Sequence, residues 1–219
     1  IAPRFEADTG HAVRLTFGSS GNFTQQIEHG APFELFLSAD EAYVERLAAK
    51  GFTRDAGTLY AIGRVALFVP RGSPLAAEPA LADLALAVRD GRVRRFAIAN
   101  PEHAPYGRAA RDVLQHAGLW DAISPSLVLG ENASQAMQFA AGGGAQGGIV
   151  PWSLTKAPEV AKLGTAVLLP AQWHRPLRQK MVLMKSAGPQ AAAFHAYLGS
   201  PEARKIFVRH GFSLPGESG

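Results

Sequence analysis

Two periodicities alternate along the chain, and the switches between them mark out its elements. Residues 1–9 carry helical spacing, and Gly10 stands where a left-handed residue ends a helix. Residues 12–16 alternate apolar with polar and predict a strand. Gly18, Ser19, Ser20 and Gly21 follow, and a helix starts at about Ser20, read as its N-cap, and stops at Gly30. Residues 33–37 predict a short strand, after which Ser38 or Asp40 caps a helix running to about Lys50. An apolar run over 60–69 is interrupted by Gly63 and Arg64, and Pro70 and Pro74 bracket the turn after it. Helix is expected over 80–88, strand over 96–99, loop over 100–107 and helix over 108–116, stopped near Gly118. Strand over 127–129, loop over 130–133 and helix over 134–141 come next, then a glycine-rich turn and a strand over 148–150 that meets Pro151 and Trp152. Residues 178–185 are strand-like, and helices over 188–197 and 201–210 close the pattern, with Pro201 in a first turn and Gly211 past an end.

Strands alternating with capped helices define an α/β class with mostly parallel sheets. The architecture repeats without a sequence repeat, so two lobes are expected to face each other across a cleft, each offering the loops at its strand ends.

Composition narrows the chemistry. With 219 residues, the chain suits one large domain or two ordinary lobes. Its 47% hydrophobic and 18% charged residues make it globular rather than disordered. No apolar run is long enough to span a membrane. The absence of cysteine removes disulfides, thiolate metal sites and cysteine nucleophiles, and suits a cytosolic or an exported bacterial protein. The net charge of +4 is scattered, except for Arg89, Arg92, Arg94 and Arg95 around the turn Asp90-Gly91. No aromatic residues interleave with those arginines, so a nucleic-acid partner is not expected.

Three small-residue loops, 18–22, 100–107 and 130–134, each follow a short apolar strand and precede a helix. Helix N-termini present unused N–H groups and a positive dipole end, which suits a compact anion. Neutral donors suffice, because a hydrogen bond to an ionised oxygen is roughly twice as strong as a neutral one. Read locally, the same loops are ordinary capped turns. The enzyme motifs are missing. The glycines of 18–21 are too close for a nucleophile elbow, no phosphate-binding Gly-Lys-Ser/Thr loop occurs, and no His pair has metal-ligand spacing. Glu34 and Asp40 bracket a strand and make a poor acid–base couple. An enzyme using Glu102 and His103 is the remaining catalytic alternative. No resident metal or cofactor is expected.

The order of segments carries a resemblance. Phe17-Gly18-Ser19-Ser20-Gly21 is followed by the block Gly30-Ala31-Pro32-Phe33-Glu34-Leu35-Phe36-Leu37-Ser38-Ala39-Asp40. Then come Asn100-Pro101-Glu102-His103-Ala104-Pro105-Tyr106-Gly107, Gly130-Glu131-Asn132-Ala133, Gly148-Ile149-Val150 and the closing Ser200-Pro201-Glu202-Ala203. This collinear set resembles the periplasmic molybdate-binding proteins of bacterial ABC importers over nearly the whole chain. The resemblance implies a type II periplasmic binding protein fold with the ligand in the cleft between the lobes. It implies a monomeric, non-enzymatic protein that binds molybdate or tungstate in the periplasm and delivers it to a membrane ABC permease. By position, Ser20 matches a binding serine with Ser19 beside it, and Tyr106 and Ala133 match residues whose backbone N–H groups bind the anion.

Two departures stand out. The family often carries a ligand tyrosine after its Gly-Ile-Val strand, and here Pro151 stands there with neither hydroxyl nor N–H. The Tyr106 hydroxyl is the expected substitute. The family also begins with a strand and a Ser/Thr-bearing loop ahead of the first helix, so the resemblance implies such a stretch before residue 1; a first lobe without it is expected to be weakened. Lobe I is expected over 1–69 and 180–219 and lobe II over 70–179, hinging near 65–70 and 179–183. The rivals are another oxyanion such as sulfate, a small organic anion, or an effector-sensing module of the same fold.

Overall fold

A computed structural model describes residues 1–216. They divide into two compact units, one built from Ile1–Ile62 with the chain from Arg178 onward, the other from Gly63–Leu177.

The first unit contains α1 (Ala2–Thr9), α2 (Ser20–Glu28), β1 (Leu35–Ser38), α3 (Glu41–Ala49) and β2 (Thr58–Gly63). Within the second lie β3 (Val65–Pro70), α4 (Ala82–Arg89), β4 (Phe96–Ala99), α5 (Pro105–His116), α6 (Trp120–Ile123) and β5 (Leu127–Gly130). It continues through α7 (Ala133–Ala141), β6 (Gly147–Pro151), α8 (Trp152–Thr155), α9 (Pro158–Ala161) and β7 (Gly164–Leu168). The chain returns to the first unit along β8 (Leu177–Leu183), α10 (Pro189–Leu198) and α11 (Pro201–Arg209).

In the first unit three strands run in the order β1-β8-β2. Strand alternation sends successive side chains to opposite faces, and β8 shows it directly. Met181 packs with Ala2, Phe5, Phe194 and Leu198, whereas Val182 joins Ile27, Phe36, Val44 and Leu47. The sheet is therefore covered on both faces, by α2 and α3 on one and by α1 and α10 on the other. The second unit holds five strands in the order β5-β4-β6-β3-β7. All four residues of β4, and Val65 to Val69 of β3, are buried, the uninterrupted apolar pattern of strands covered on two sides.

The expectation of mostly parallel sheets is corrected to mixed ones. β4 is parallel to β5 and β6, but β3 is antiparallel to β6 and β7, and β1 is antiparallel to β8. The parallel neighbours β4, β5 and β6 are the ones linked by crossover helices, α5 and α7. β3 enters from β2 through the single residue Arg64, and β1 and β8 lie far apart in sequence, so no crossover helix dictates those directions.

The chain passes between units at Ile62–Gly63 and at Leu177–Arg178, so residues 63–69, expected in lobe I, lie in the second unit, and residues 178 and 179, expected in lobe II, lie in the first.

The strand expected over 12–16 does not form. An alternating pattern becomes a strand only when a neighbour completes its ladder, and β1 has β8 as its single neighbour among the described residues. Leu15 is 52% exposed and Phe17 79% exposed.

Candidate functional site

Each of the three small-residue loops delivers a helix N-terminus, held by different local chemistry. In the first unit the N-cap of α2 is Ser19, one residue earlier than expected. Its backbone is extended and its Oγ accepts the Asn22 N–H at 3.3 Å. Ser20 is the first residue of the helix, and its Oγ accepts the Ala39 N–H at 3.0 Å. A hydroxyl that accepts in this way keeps its own hydrogen to donate, so Ala39 fixes where the Ser20 O–H can point. Both serines are buried, Ser20 to 6% exposure. Ala39 itself sits in a tight turn, where Ser38 Oγ donates to the Asp40 carbonyl at 2.7 Å and accepts the Asp40 N–H at 3.2 Å. The Asp40 carboxylate in turn caps α3 through Ala42 N–H at 2.9 Å. The block from 38 to 40 thus ties the α2 and α3 N-termini together.

In the second unit two loops leave the adjacent parallel strands β4 and β5. Asn100 N–H donates to the Gly130 carbonyl at 2.7 Å, continuing the ladder into the loops. Asn100 Oδ1 accepts the Glu102 N–H at 3.0 Å, and its carbonyl accepts Ala104 N–H at 2.9 Å, which folds the loop back on itself. α5 then starts three residues earlier than expected, at Pro105, which sits in the first turn and carries no N–H. The first N–H of α5 is consequently that of Tyr106, a buried residue.

At α7 the cap is Asn132, whose Oδ1 accepts the Gln135 N–H at 3.0 Å. Gln135 Oε1 reaches back to the Glu131 N–H at 2.7 Å, a reciprocal arrangement close to a capping box. Ala133 and Ser134 are the first residues of that helix.

Glycines let these helices approach the strands closely. A Cβ on Gly107 would run into the Ala99 carbonyl oxygen at the end of β4, and one on Gly130 would stand 2.5 Å from the Ala136 nitrogen of α7. The N-termini of α5 and α7 are therefore seated directly on the strand ends that precede them.

The charged inventory is sparse. Residues 17–22, 100–107 and 130–134 contain no Lys or Arg, and their acidic and histidine side chains are Glu102, His103 and Glu131. Glu102 lies 3.6 Å from Arg111, and His103 Nε2 lies 3.5 Å from Glu131 Oε2, so the two residues of the catalytic alternative engage different partners. Among the described residues no group of His, Cys, Asp or Glu could hold a metal ion, and no helix is long and apolar enough to cross a membrane. The donors available to an anion are thus backbone N–H groups and hydroxyls.

Of the residues singled out from the sequence, Ser19 and Ser20 fall together in the first unit, and Tyr106 and Ala133 fall on neighbouring loops of the second. Pro151 ends β6, buried and opposite Val65. The Ala39 partner of Ser20 and the contact of His103 with Glu131 were invisible in the sequence, since both depend on long-range placement. Asn132 was findable, as an Asn followed three residues later by Gln ahead of an apolar run.

Residues 1–213 match the model of a family described as bacterial extracellular solute-binding proteins. The chain is 37% identical over 215 residues to the molybdate-binding protein ModA of Rhodobacter capsulatus, covering 97% of this chain and 81% of the relative. Among solved structures it resembles the periplasmic molybdate-binding protein of Azotobacter vinelandii, with a TM-score of 0.86 and 32% identity, covering 98% and 92% of the two chains. The sulfate-binding protein SubI of Mycobacterium tuberculosis shares the fold, with a TM-score of 0.78 at 18% identity, covering 98% and 81%.

Proposed function

The chain belongs to the bacterial extracellular solute-binding proteins and, among them, to the molybdate-binding family; on that premise we propose that it captures molybdate as a free oxyanion and supplies it to an ABC importer. The observation that carries this reading is the set of three helix N-termini, at Ser20, Tyr106 and Ala133, on loops without a single Lys or Arg. A fully ionised tetrahedral oxyanion has acceptors only, so it can be satisfied by donors alone. We assign Ser20 as a donor through its N–H and hydroxyl, with Ser19 beside it, and Tyr106 and Ala133 as backbone donors.

Neutral donors at helix ends spread the anion's charge over dipoles already fixed by the fold, with no counter-charge to desolvate. Selectivity then comes from the size of the cage and the direction of its donors. Tungstate, nearly identical in size and charge, presents the same acceptors to the same donors. Sulfate is too small to reach all donors at once, and a protonated phosphate needs an acceptor for its hydrogen. The Tyr106 hydroxyl supplies the side-chain donor that Pro151 cannot, so Tyr106→Phe weakens molybdate binding; equal affinity in that variant removes this part of the assignment. The protein acts as a monomeric periplasmic carrier, without a cofactor and without turnover, whose ligand-bound form is read by a membrane permease.

A thermal-shift panel tests the reading. Molybdate and tungstate at ~100 times the dissociation constant stabilise the protein by about 2.7 kcal/mol, a clear rise in melting temperature. Sulfate and phosphate at the same concentration give little. A response to sulfate larger than to molybdate transfers the site to the smaller oxyanion. No response to any of the four leaves the reading without support.

A further inference from the structure

The two donor loops of the second unit are joined twice. One link is the backbone hydrogen bond from Asn100 N–H to the Gly130 carbonyl, 2.7 Å. The other is the side-chain contact of His103 Nε2 with Glu131 Oε2, 3.5 Å. A carboxylate in this place needs a reason. Glu131 stands two residues ahead of Ala133, so its Cα lies within about 7 Å of the Ala133 Cα. A negative charge there opposes an anion seated on the α7 N-terminus.

The root of Glu131 is fixed, because its N–H is held by Gln135 Oε1. Its side chain is 67% exposed and free to rotate unless something holds it, whereas the His103 side chain is only 18% exposed and well placed in its loop. The other nearby carboxylate, Glu102, has its own partner in Arg111 at 3.6 Å.

We infer that His103 is a positioning residue for oxyanion binding: by holding the Glu131 carboxylate across the gap between the two loops, it keeps that charge off the N-terminus of α7. The inference rests on the oxyanion reading above and adds to it a residue that touches no ligand. It makes a signed prediction. Removing His103 releases a carboxylate beside the anion, and the penalty scales with ligand charge, so a dianion suffers more than a monoanion. Removing the Glu131 charge removes the need for His103.

Calorimetric titration with molybdate of the whole chain, as wild type, His103→Ala, His103→Gln, Glu131→Gln and the double variant His103→Ala/Glu131→Gln, tests this. His103→Ala weakens binding about fivefold, the scale of one exposed charge interaction. His103→Gln, which keeps a donor to the carboxylate, binds within about twofold of wild type on the same scale. Glu131→Gln binds at least as tightly as wild type, and the double variant matches Glu131→Gln. Melting temperatures without ligand confirm that each variant is folded. A loss in His103→Ala that persists undiminished in the double variant shows a purely structural role and overturns the inference. So does an unchanged affinity in His103→Ala. Failure of the wild type to bind any oxyanion overturns the underlying reading as well, and it is seen in the first titration alone.

Discussion

The two units present their helix N-termini on unequal foundations. In the second, both donor loops leave strands of one five-stranded sheet, and glycines press α5 and α7 onto the strand ends. In the first, the loop at Ser19 leaves a stretch, 11–19, that forms no strand, and the sheet has three strands with β1 at its margin. Its N-terminus is instead secured from the helix side, through Ser20 to Ala39 and through Thr24 Oγ1 to the Ser20 carbonyl at 2.8 Å. The lesson is that a donor can be positioned by the strand before it or by side-chain hydrogen bonds after it. The first route fails by overpacking, the second by losing one hydroxyl.

The largest effect expected from this contrast is that of Gly107→Ala. A methyl group there collides with the Ala99 carbonyl of β4, and overpacking against backbone costs about 3 kcal/mol. Denaturant unfolding should show that loss, and calorimetry a molybdate affinity reduced by tenfold or more as the α5 N-terminus is displaced. A variant as stable as wild type would mean that strand-anchored seating is not what fixes this loop.

Ser20→Ala comes next. It leaves the Ala39 N–H without its acceptor and removes one anion donor, so stability falls by about 1–2 kcal/mol and affinity by roughly tenfold. If stability falls while affinity holds, the hydroxyl serves the scaffold alone.

Acid separates the units by where in the pH scale they respond. His174, in the second unit, is buried, and its Nδ1 lies 2.8 Å from the Arg175 carbonyl. Desolvation lowers its pKa, a backbone hydrogen bond to Arg175 and the charge of Asp112 oppose the shift, and the charge of Arg64 adds to it. The unfolded chain therefore binds this proton more readily, so the stability His174 contributes is complete above its ordinary pKa of about 6.5 and declines as pH falls below it. In the first unit, hydrogen bonds from Arg46 and then Lys50 lower Glu28 from 4.5 to about 2. Its contribution is present above 4.5 and lost as pH falls through about 2. Denaturation curves between pH 7 and 5 should thus show a decline that His174→Phe flattens and Glu28→Gln leaves alone. Equal flattening by both would erase the distinction.

The smallest effect belongs to Phe17→Ser. Phe17 is mostly exposed, so the change should alter stability by no more than about 0.5 kcal/mol. A loss several times larger, read by denaturant unfolding, would show that Phe17 packs against something in solution and that this stretch is better founded than the exposure of Phe17 indicates.

The longer helices were legible to within about three residues because their start and stop signals are local, whereas the four-residue α6, α8 and α9 were not foreseen. Gly10 and Gly211 adopt the left-handed conformation just beyond α1 and the α11 C-cap, and Asp40 and Ser200 cap α3 and α11 through their side chains. Strands were less so. Residues 12–16 have the right alternation and no ladder, whereas residues 60–69 read as one run and are two strands in two units, separated by Arg64. Whether a strand forms, and in which direction it runs, depends on a neighbour that local pattern does not contain. The site followed the same division. The loops were visible as small-residue strand-to-helix joints, but Ser19 rather than Ser20 as the cap, and Ala39 as the partner of Ser20, needed the fold.

The account stands or falls on the chain binding one molybdate through neutral donors, with Ser20 among them. Isothermal titration of the folded chain with molybdate, repeated with Ser20→Ala, measures this most directly. The expected result is one molybdate per chain for the wild type, with the same stoichiometry and a lower affinity for the variant. A chain that is folded yet shows no saturable binding of molybdate contradicts the account, as does a wild-type affinity that Ser20→Ala leaves unchanged.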